Sequence, residues 1–133
     1  MNRKIFLLTA ALLTAFSASA YITHGGICYN VQYNPMSGKY MADVTNADGT
    51  VKYSGDVTIP SSFSTSTNNY IVSGVEGNAF RDCTELNSVT ILISSVAQGA
   101  FGGCTGLTAI YGPYATEDNR CWIHNGVLIA FAH

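Results

Sequence analysis

Four cysteines and three histidines are the residues of this sequence best suited to nucleophilic, redox or metal chemistry: Cys28, Cys83, Cys104, Cys121, His24, His124 and His133. A metal site or a thiol catalyst needs such residues at short, defined spacings, and the sequence has neither C-x-x-C nor H-E-x-x-H. It also lacks G-x-S-x-G and a glycine-rich phosphate loop. His124, beside Asn125-Gly126, is expected to be a solvated strand-end residue. We therefore predict a non-enzymatic protein with no catalytic residue, no metal site and no cofactor.

Two of the cysteines lie 21 residues apart because they belong to an internal repeat. Shifting the sequence by 21 residues aligns six identical residues among the seventeen positions 75–91. Each unit has the pattern V-x-x-x-A-F-x-x-C-T-x-L-x-x-[VI], in which the repeated residues are mostly apolar. We call residues 75–91 unit 1 and residues 96–112 unit 2. Repeats of this length are typical of stacked architectures.

The spacing within a unit predicts a helical turn followed by a strand. Ala79, Phe80 and Cys83 have the i, i+1, i+4 spacing that places three apolar groups on one side of a helical turn. From Leu86 the period becomes two, since Val89 and Ile91 alternate with polar residues, as in a half-buried strand. Such a unit cannot bury its apolar side alone. It is therefore expected to stack on its neighbour, Phe80 on Phe101 and Leu86 on Leu107.

The cysteines allow two interpretations. An even number in an exported chain is typical of disulfides, and four cysteines permit three full pairings. Cys83 and Cys104, however, occupy equivalent inward positions in two units, where a free thiol packs as a small apolar residue. We favour four reduced cysteines. A bridge between Cys28 and Cys121 is the main alternative.

The segments that flank the repeat are expected to be β-rich. Residues 27–33 and 39–44 alternate in polarity around the turn formers of 34–38, and Asn46-Ala47-Asp48-Gly49 predicts a turn before a further strand at 50–53. Residues 61–69, nearly all Ser, Thr and Asn, are expected to form an exposed loop. Near the end of the sequence, 121–124 and 127–130 flank Asn125-Gly126, which predicts a hairpin.

The first twenty residues have the features of a signal peptide. A basic start at Arg3-Lys4 precedes a run of about twelve apolar residues, which is shorter than the roughly twenty that span a bilayer. Ala18-Ser19-Ala20 has the small-x-small pattern of a cleavage site before Tyr21. The alternative, a buried N-terminal helix, leaves both of these flanks unexplained. We therefore predict export, with no membrane span after cleavage.

The composition of the mature chain excludes several classes of partner. Removing residues 1–20 leaves four basic and eight acidic residues, a net charge near −4 without a basic cluster. This balance argues against nucleic acid and anionic membrane surfaces. Aromatic residues are abundant and either form a contact surface for carbohydrate or protein or pack across strands. They are Tyr29, Tyr33, Tyr40, Tyr53, Tyr70, Tyr111, Tyr114 and Trp122.

The repeat and its flanks resemble the BspA-like leucine-rich repeat proteins, a family of bacterial surface and secreted proteins. The residues that carry the resemblance are Tyr53-Ser54-Gly55-Asp56-Val57-Thr58-Ile59-Pro60, Val72-Ser73-Gly74-Val75-Glu76-Gly77-Asn78-Ala79-Phe80 and the Cys-Thr-x-Leu elements at 83–86 and 104–107. The usual unit of the family is about two residues longer, with a Pro after its Thr-Ile strand, whereas Leu92-Ile93 follows Thr90-Ile91 here. The family also has many more units.

Together these observations predict an α/β leucine-rich-repeat-like solenoid, β-dominated, with short helical turns and a β-rich N-terminal cap. The predicted divisions are a signal peptide at 1–20, the cap at 21–70, and two repeat units with a C-terminal hairpin at 71–133. The resemblance implies a bacterial cell-surface or extracellular protein that mediates adhesion by binding a protein, for example a host matrix protein. The alternative is a structural capping or spacer fragment of a larger surface repeat protein, with no ligand of its own.

Overall fold

The computed structural model describes residues 20–133, which form ten β-strands and, within that range, no helix. The strands are β1 Ala20–His24, β2 Ile27–Asn34, β3 Lys39–Val44, β4 Gly55–Ile59, β5 Ser62–Ser64, β6 Asn69–Val75, β7 Leu86–Ile91, β8 Ala109–Tyr111, β9 Cys121–His124 and β10 Val127–Phe131. The predicted signal peptide lies almost wholly outside the described residues. Its predicted cleavage site, before Tyr21, falls after the first residue of β1. No helix within 20–133 has the length and hydropathy needed to cross a bilayer.

A five-stranded sheet, ordered β1-β2-β3-β6-β5, forms the N-terminal part of the described chain. β3 and β6 are parallel, and the other neighbours are antiparallel. The sheet curls strongly. His24 on one edge strand stacks on Phe63 of the other edge strand, with ring centroids 4.6 Å apart. The curl encloses the buried Tyr29, whose ring lies 4.5 Å from that of Phe63.

Several sequence predictions in this region are confirmed, and two are wrong. β2 and β3 occur as expected, joined by a turn at 35–38. Residues 50–53 form no strand, because Tyr53 instead packs inward and its hydroxyl donates to Thr45 O at 2.7 Å. Residues 61–69 are not a plain loop, since β5 pairs with β6 and buries Phe63.

The second sheet consists of parallel strands ordered β4-β7-β8. Its inward row, Val57, Val89 and Ile110, is in register across all three strands. The predicted strand after Leu86 is confirmed as β7. Parallel strands joined by turns place one strand of each unit beside the equivalent strand of the next.

The predicted helical turn at Ala79–Cys83 is wrong, as is its copy in unit 2. The segments instead contain successive i→i−3 turns: Cys83 N–H donates to Phe80 O, and Cys104 N–H donates to Phe101 O. The backbone at Asp82 (φ 57°) and at Gly103 (φ 79°) is left-handed, which ends any right-handed helix. A backbone hydrogen bond joins the two turns, because Phe80 N–H donates to Ala100 O of unit 2 at 2.9 Å rather than to an oxygen of its own turn.

The core runs through both units, as their equivalent residues stack. The rings of Phe80 and Phe101 are 4.7 Å apart and nearly parallel at 15°, and Tyr53 covers the other side of Phe80 at 4.6 Å. Leu86 and Leu107 are fully buried. The predicted stacking of Phe80 on Phe101 and the predicted burial of Leu86 and Leu107 are therefore confirmed.

The predicted C-terminal hairpin is confirmed as β9 and β10, with Asn125-Gly126 in the turn. Trp122 and Ala130, which pair across the hairpin, are both buried against the repeats. The predicted division between 21–70 and 71–133 falls inside β6, which pairs with β3 and β5.

Candidate functional site

The cysteines are all free, and three of the four are buried. Cys104 donates its thiol hydrogen to Phe80 O at 2.9 Å, and Cys83 accepts a hydrogen bond from Tyr53 N–H at 3.3 Å. Burial raises the pKa of the Cys104 thiol to about 11, so at neutral pH it stays a thiol rather than the nucleophilic thiolate. Cys28 is buried and Cys121 is half-buried, without a bridge between them. The Cys83 and Cys104 side chains therefore pack and hydrogen-bond within the fold.

The histidines are spread across the described chain. His24 stacks on Phe63, His133 lies 5.5 Å from the ring of Phe131, and His124 lies 4.3 Å from Tyr114. His124 is therefore half-buried rather than fully solvated, because the Tyr114 ring covers it. Within residues 20–133, no group of three or more His, Cys, Asp or Glu side chains is placed to hold a metal ion.

The aromatic residues mainly pack across strands. Tyr33, Tyr40, Tyr70 and Phe63 form one row over β2, β3, β6 and β5, with adjacent ring centroids 5.0–5.6 Å apart. The cross-strand interpretation is therefore confirmed for this row. Exposure along the row rises from Phe63, at 8%, to Tyr33, at 53%. Outside it, Tyr111 is the tyrosine of the repeat units that faces solvent, at 44% exposure.

The row borders a concavity of about 850 Å³ at the end of the curled sheet, which we call the aromatic mouth. Its floor is formed by Tyr40, Phe63 and Tyr70, and its rim by Gly38, Lys39 and the turn at 64–69. The turn is held by its own contacts, such as Ser64 Oγ to Asn69 Oδ1 at 2.6 Å. Because Phe63 and Tyr70 are buried against their neighbours, the aromatic mouth offers little open ring surface to a ligand.

The outer side of β4, β7 and β8 forms a polar surface that we call the hydroxyl face. Strand register places its outward residues in two rows, and these are Asp56, Ser88 and Ala109 in the first row and Thr58, Thr90 and Tyr111 in the second. The inward residues between them, Val57, Val89 and Ile110, are buried or half-buried, so inward and outward residues alternate from Asp56 in β4, from Ser88 in β7 and throughout β8. The two rows form a continuous side-chain surface across both repeat units.

The acidic residue of this face is held in place by hydrogen bonds. Asn87 Nδ2 donates to Asp56 Oδ1 at 2.9 Å, and Ser88 Oγ donates to the same oxygen at 2.8 Å. These two bonds, that from Asn87 first, hold the pKa of the Asp56 carboxyl below its usual range. Neither row contains Lys or Arg, so the hydroxyl face can offer hydroxyl groups, one carboxylate and one phenol ring to a partner, but no cation.

Only half of the hydroxyl face was identifiable from the sequence. The alternation of Ser88 and Thr90 with Val89 and Ile91 predicts outward hydroxyl groups on β7. The sequence reasoning missed β4 as its neighbour, although Asp56-Val57-Thr58-Ile59 alternates in the same way. Placing Tyr111 in line with Thr90 requires the register of β7 and β8.

Comparison with solved structures shows a likeness of fold. A leucine rich cell surface protein from Faecalibacterium prausnitzii A2-165 superposes on 80% of this chain and 26% of its own, with a TM-score of 0.51 and 24% identity. The chain shares a leucine-rich-repeat-like fold. A leucine-rich repeat protein from Bacteroides ovatus ATCC 8483 matches 65% of this chain and 22% of its own, at 19% identity and a TM-score of 0.47.

This leucine-rich-repeat-like chain spans about a quarter of the length of both solved structures. At such identities the likeness concerns the fold and not the activity. No family model matches the sequence. No curated protein matches it either.

Proposed function

We propose that this chain is an exported cell-surface or secreted repeat protein that binds another protein through its hydroxyl face. The observation that carries the proposal is the register of β4, β7 and β8, which aligns two rows of outward side chains across both units. Strands side by side provide a continuous surface for an extended protein partner. In this proposal the two units belong to a solenoid of the BspA-like type, and the five-stranded sheet caps it.

The chemistry of the face favours contacts that do not depend on charge. Tyr111 provides a large, exposed and rigid contact area at the end of one row, and Thr58 and Thr90 provide hydroxyl groups beside it. With a mature net charge near −4 and no cation on the face, charge attraction contributes little to binding. The partner class we favour is an extracellular protein such as a host matrix protein, which would make the protein an adhesin.

The proposal also assigns no catalytic activity to the chain. The buried Cys83 and Cys104 side chains hydrogen-bond within the fold, and the histidines lie apart within residues 20–133. The aromatic mouth is a weaker candidate for recognition than the hydroxyl face, because its ring surfaces are already covered. Turnover of a small substrate by the purified protein would contradict this part of the proposal.

A pull-down against a panel of immobilised matrix proteins, followed by titration of any partner found, tests the proposal. Raising the ionic strength from about 0.01 M to about 0.15 M shortens the screening length from about 30 Å to about 8 Å. We expect the affinity to fall less than about threefold, since exposed charge pairs contribute little. A steep loss would contradict recognition by hydroxyl groups and tyrosine. Failure to bind any protein would favour the spacer alternative.

Two tyrosine variants localise the contact. Tyr111→Ala removes the exposed ring from the hydroxyl face and should weaken binding about tenfold or more, as expected for an aromatic contact residue. Tyr33→Ala removes an exposed ring of the other sheet, and it should change the affinity by less than about twofold. Equal effects of the two variants would contradict the assignment of the face.

A further inference from the structure

The backbone bonds between the turn segments of the two units, residues 79–84 and 100–105, run in one direction. In unit 1, Phe80 N–H donates to Ala100 O at 2.9 Å, and Asp82 N–H donates to Gly102 O at 2.8 Å. Cys104 of unit 2 returns one bond, from its thiol to Phe80 O at 2.9 Å. The contact between the two turn segments therefore consists of two amide donors on unit 1 and two carbonyl acceptors with one thiol on unit 2.

Unit 2 offers the same donors to whatever follows it in space. The residues equivalent to Phe80 and Asp82 are Phe101 and Gly103, and their N–H groups have no hydrogen-bond partner within residues 20–133. Gly103 has a left-handed backbone like that of Asp82, with φ values of 79° and 57°, so the chain has the same local conformation at these two equivalent amides. The pair of amide donors that the unit 1 turn offers to unit 2 is thus repeated on the unit 2 turn.

An apolar groove of about 340 Å³ is lined by the residues that carry these two amide donors. One wall is the unit 2 turn, including Phe101 and Gly103, and the other is Leu128, Ile129 and Phe131 of β10. Leu128 and Phe131 are 46% and 55% exposed, so the groove combines exposed apolar side chains with two amides that lack a partner within residues 20–133. This combination suits a polypeptide that supplies carbonyl oxygens and an apolar side chain.

We infer that this groove binds, on another polypeptide, a turn segment with the repeat's own pattern, Ala-Phe-x-x-Cys-Thr. The carbonyl of its Ala would accept from Phe101 N–H, and its Cys thiol would donate to Phe101 O. Its Phe ring would contact the exposed Leu128 and Phe131 side chains, because Phe101 itself is only 7% exposed. Symmetric pairing of two such grooves is disfavoured, because each side presents N–H donors and neither presents the acceptors. The ligand is therefore an incoming repeat unit and not a second copy of this groove.

The test uses a synthetic peptide that reproduces residues 93–113 as the probe, added to the full chain labelled with ¹⁵N. We expect saturable shifts of the Phe101 and Gly103 amide resonances and slower hydrogen exchange of both amides. A control peptide with Asp at the positions of Ala100 and Phe101 should bind at least about tenfold more weakly, because both apolar contacts are lost. No shift of either amide at millimolar peptide would overturn the inference.

Two variants of the exposed hairpin test the groove itself. Leu128→Asp places a charge in the groove wall and should weaken peptide binding at least about tenfold. Val127→Asp is its matched control, since Val127 is equally exposed, at 47%, and does not line the groove. Equal losses would overturn the assignment. The inference is independent of the hydroxyl face, so Tyr111→Ala should leave peptide binding unchanged, and the two proposals can fail separately.

Discussion

Phe80→Ala is the substitution that most strongly tests the stacking of the two units. Phe80 has no exposed surface and lies between two rings, 4.7 Å from Phe101 and 4.6 Å from Tyr53. Truncating a buried Phe to Ala costs about 3–5 kcal/mol, and loss of two ring contacts favours the upper half of that range. We therefore expect a loss of about 4 kcal/mol, which is a large share of the roughly 5–15 kcal/mol that stabilises a typical domain.

The assay is urea denaturation of residues 21–133, with tyrosine and tryptophan fluorescence as the signal that reports unfolding. Phe80→Leu is a second variant that keeps the site apolar, so it should lose less than half as much stability and remain measurable if Phe80→Ala does not fold. Tyr33→Ala, which truncates a half-exposed ring, is the surface control and should cost less than Phe80→Leu. A loss below about 1 kcal/mol for Phe80→Ala would refute the stacked register.

Four further predictions concern thiol reactivity, the pH dependence of stability, a close backbone contact and processing. Cys83 and Cys104 should react with a thiol reagent only on unfolding, and the half-buried Cys121 should react faster. Rapid labelling of Cys104 in the native protein, or a Cys83–Cys104 bridge found by peptide mapping, would contradict the burial of these two thiols in the core. Burial raises the pKa of the Cys104 thiol to about 11 from an ordinary 9, so the unfolded chain loses this proton at lower pH than the folded chain. The free energy of unfolding, measured by urea denaturation at a series of pH values, should therefore fall as pH rises from about 9 to about 11. A constant free energy over that range would contradict the burial of this thiol. Gly106→Ala would place a methyl group 2.5 Å from Thr84 O and should lower the free energy of unfolding in urea by about 1–3 kcal/mol. The control Gly77→Ala, whose nearest contact is at 3.8 Å, should lower it by less than about 1 kcal/mol. Equal losses would contradict the close approach of Gly106 to Thr84. Intact-mass measurement of the exported protein should give Tyr21 as its N-terminus, and retained Met1 would contradict export by a signal peptide.

The elements that were predictable from the sequence are those with strong local signals. The hairpin of β9 and β10 follows from Asn125-Gly126 between alternating segments, and the strand of unit 1 follows from the alternation around Val89. The stacking of Phe80 on Phe101 follows from the repeat, since equivalent residues in neighbouring units meet.

The elements that were not predictable depend on distant contacts. Phe63 turns a segment rich in Ser and Thr into an edge strand, because its ring stacks on Tyr70 and His24 across the curled sheet. The turn at Ala79–Cys83 has the spacing of a helix, but the amides of Phe80 and Asp82 bond to unit 2, and Asp82 adopts a left-handed backbone. The hydroxyl face requires the parallel register of β4 with β7, which local alternation does not specify.

The central claim is that the hydroxyl face is the contact surface for a protein partner, and a charge at its centre tests this most directly. Thr90 lies on the middle strand, in register with Thr58 and Tyr111. The measurement is the Kd of Thr90→Arg for the captured partner, with Gln32→Arg, an exposed position on the other sheet, as the equally charged control. We expect Thr90→Arg to raise Kd at least about tenfold, because a long charged side chain at the centre of an interface prevents close contact, and Gln32→Arg to change it less than about twofold. Equal Kd values for Thr90→Arg and the unsubstituted protein would contradict the claim.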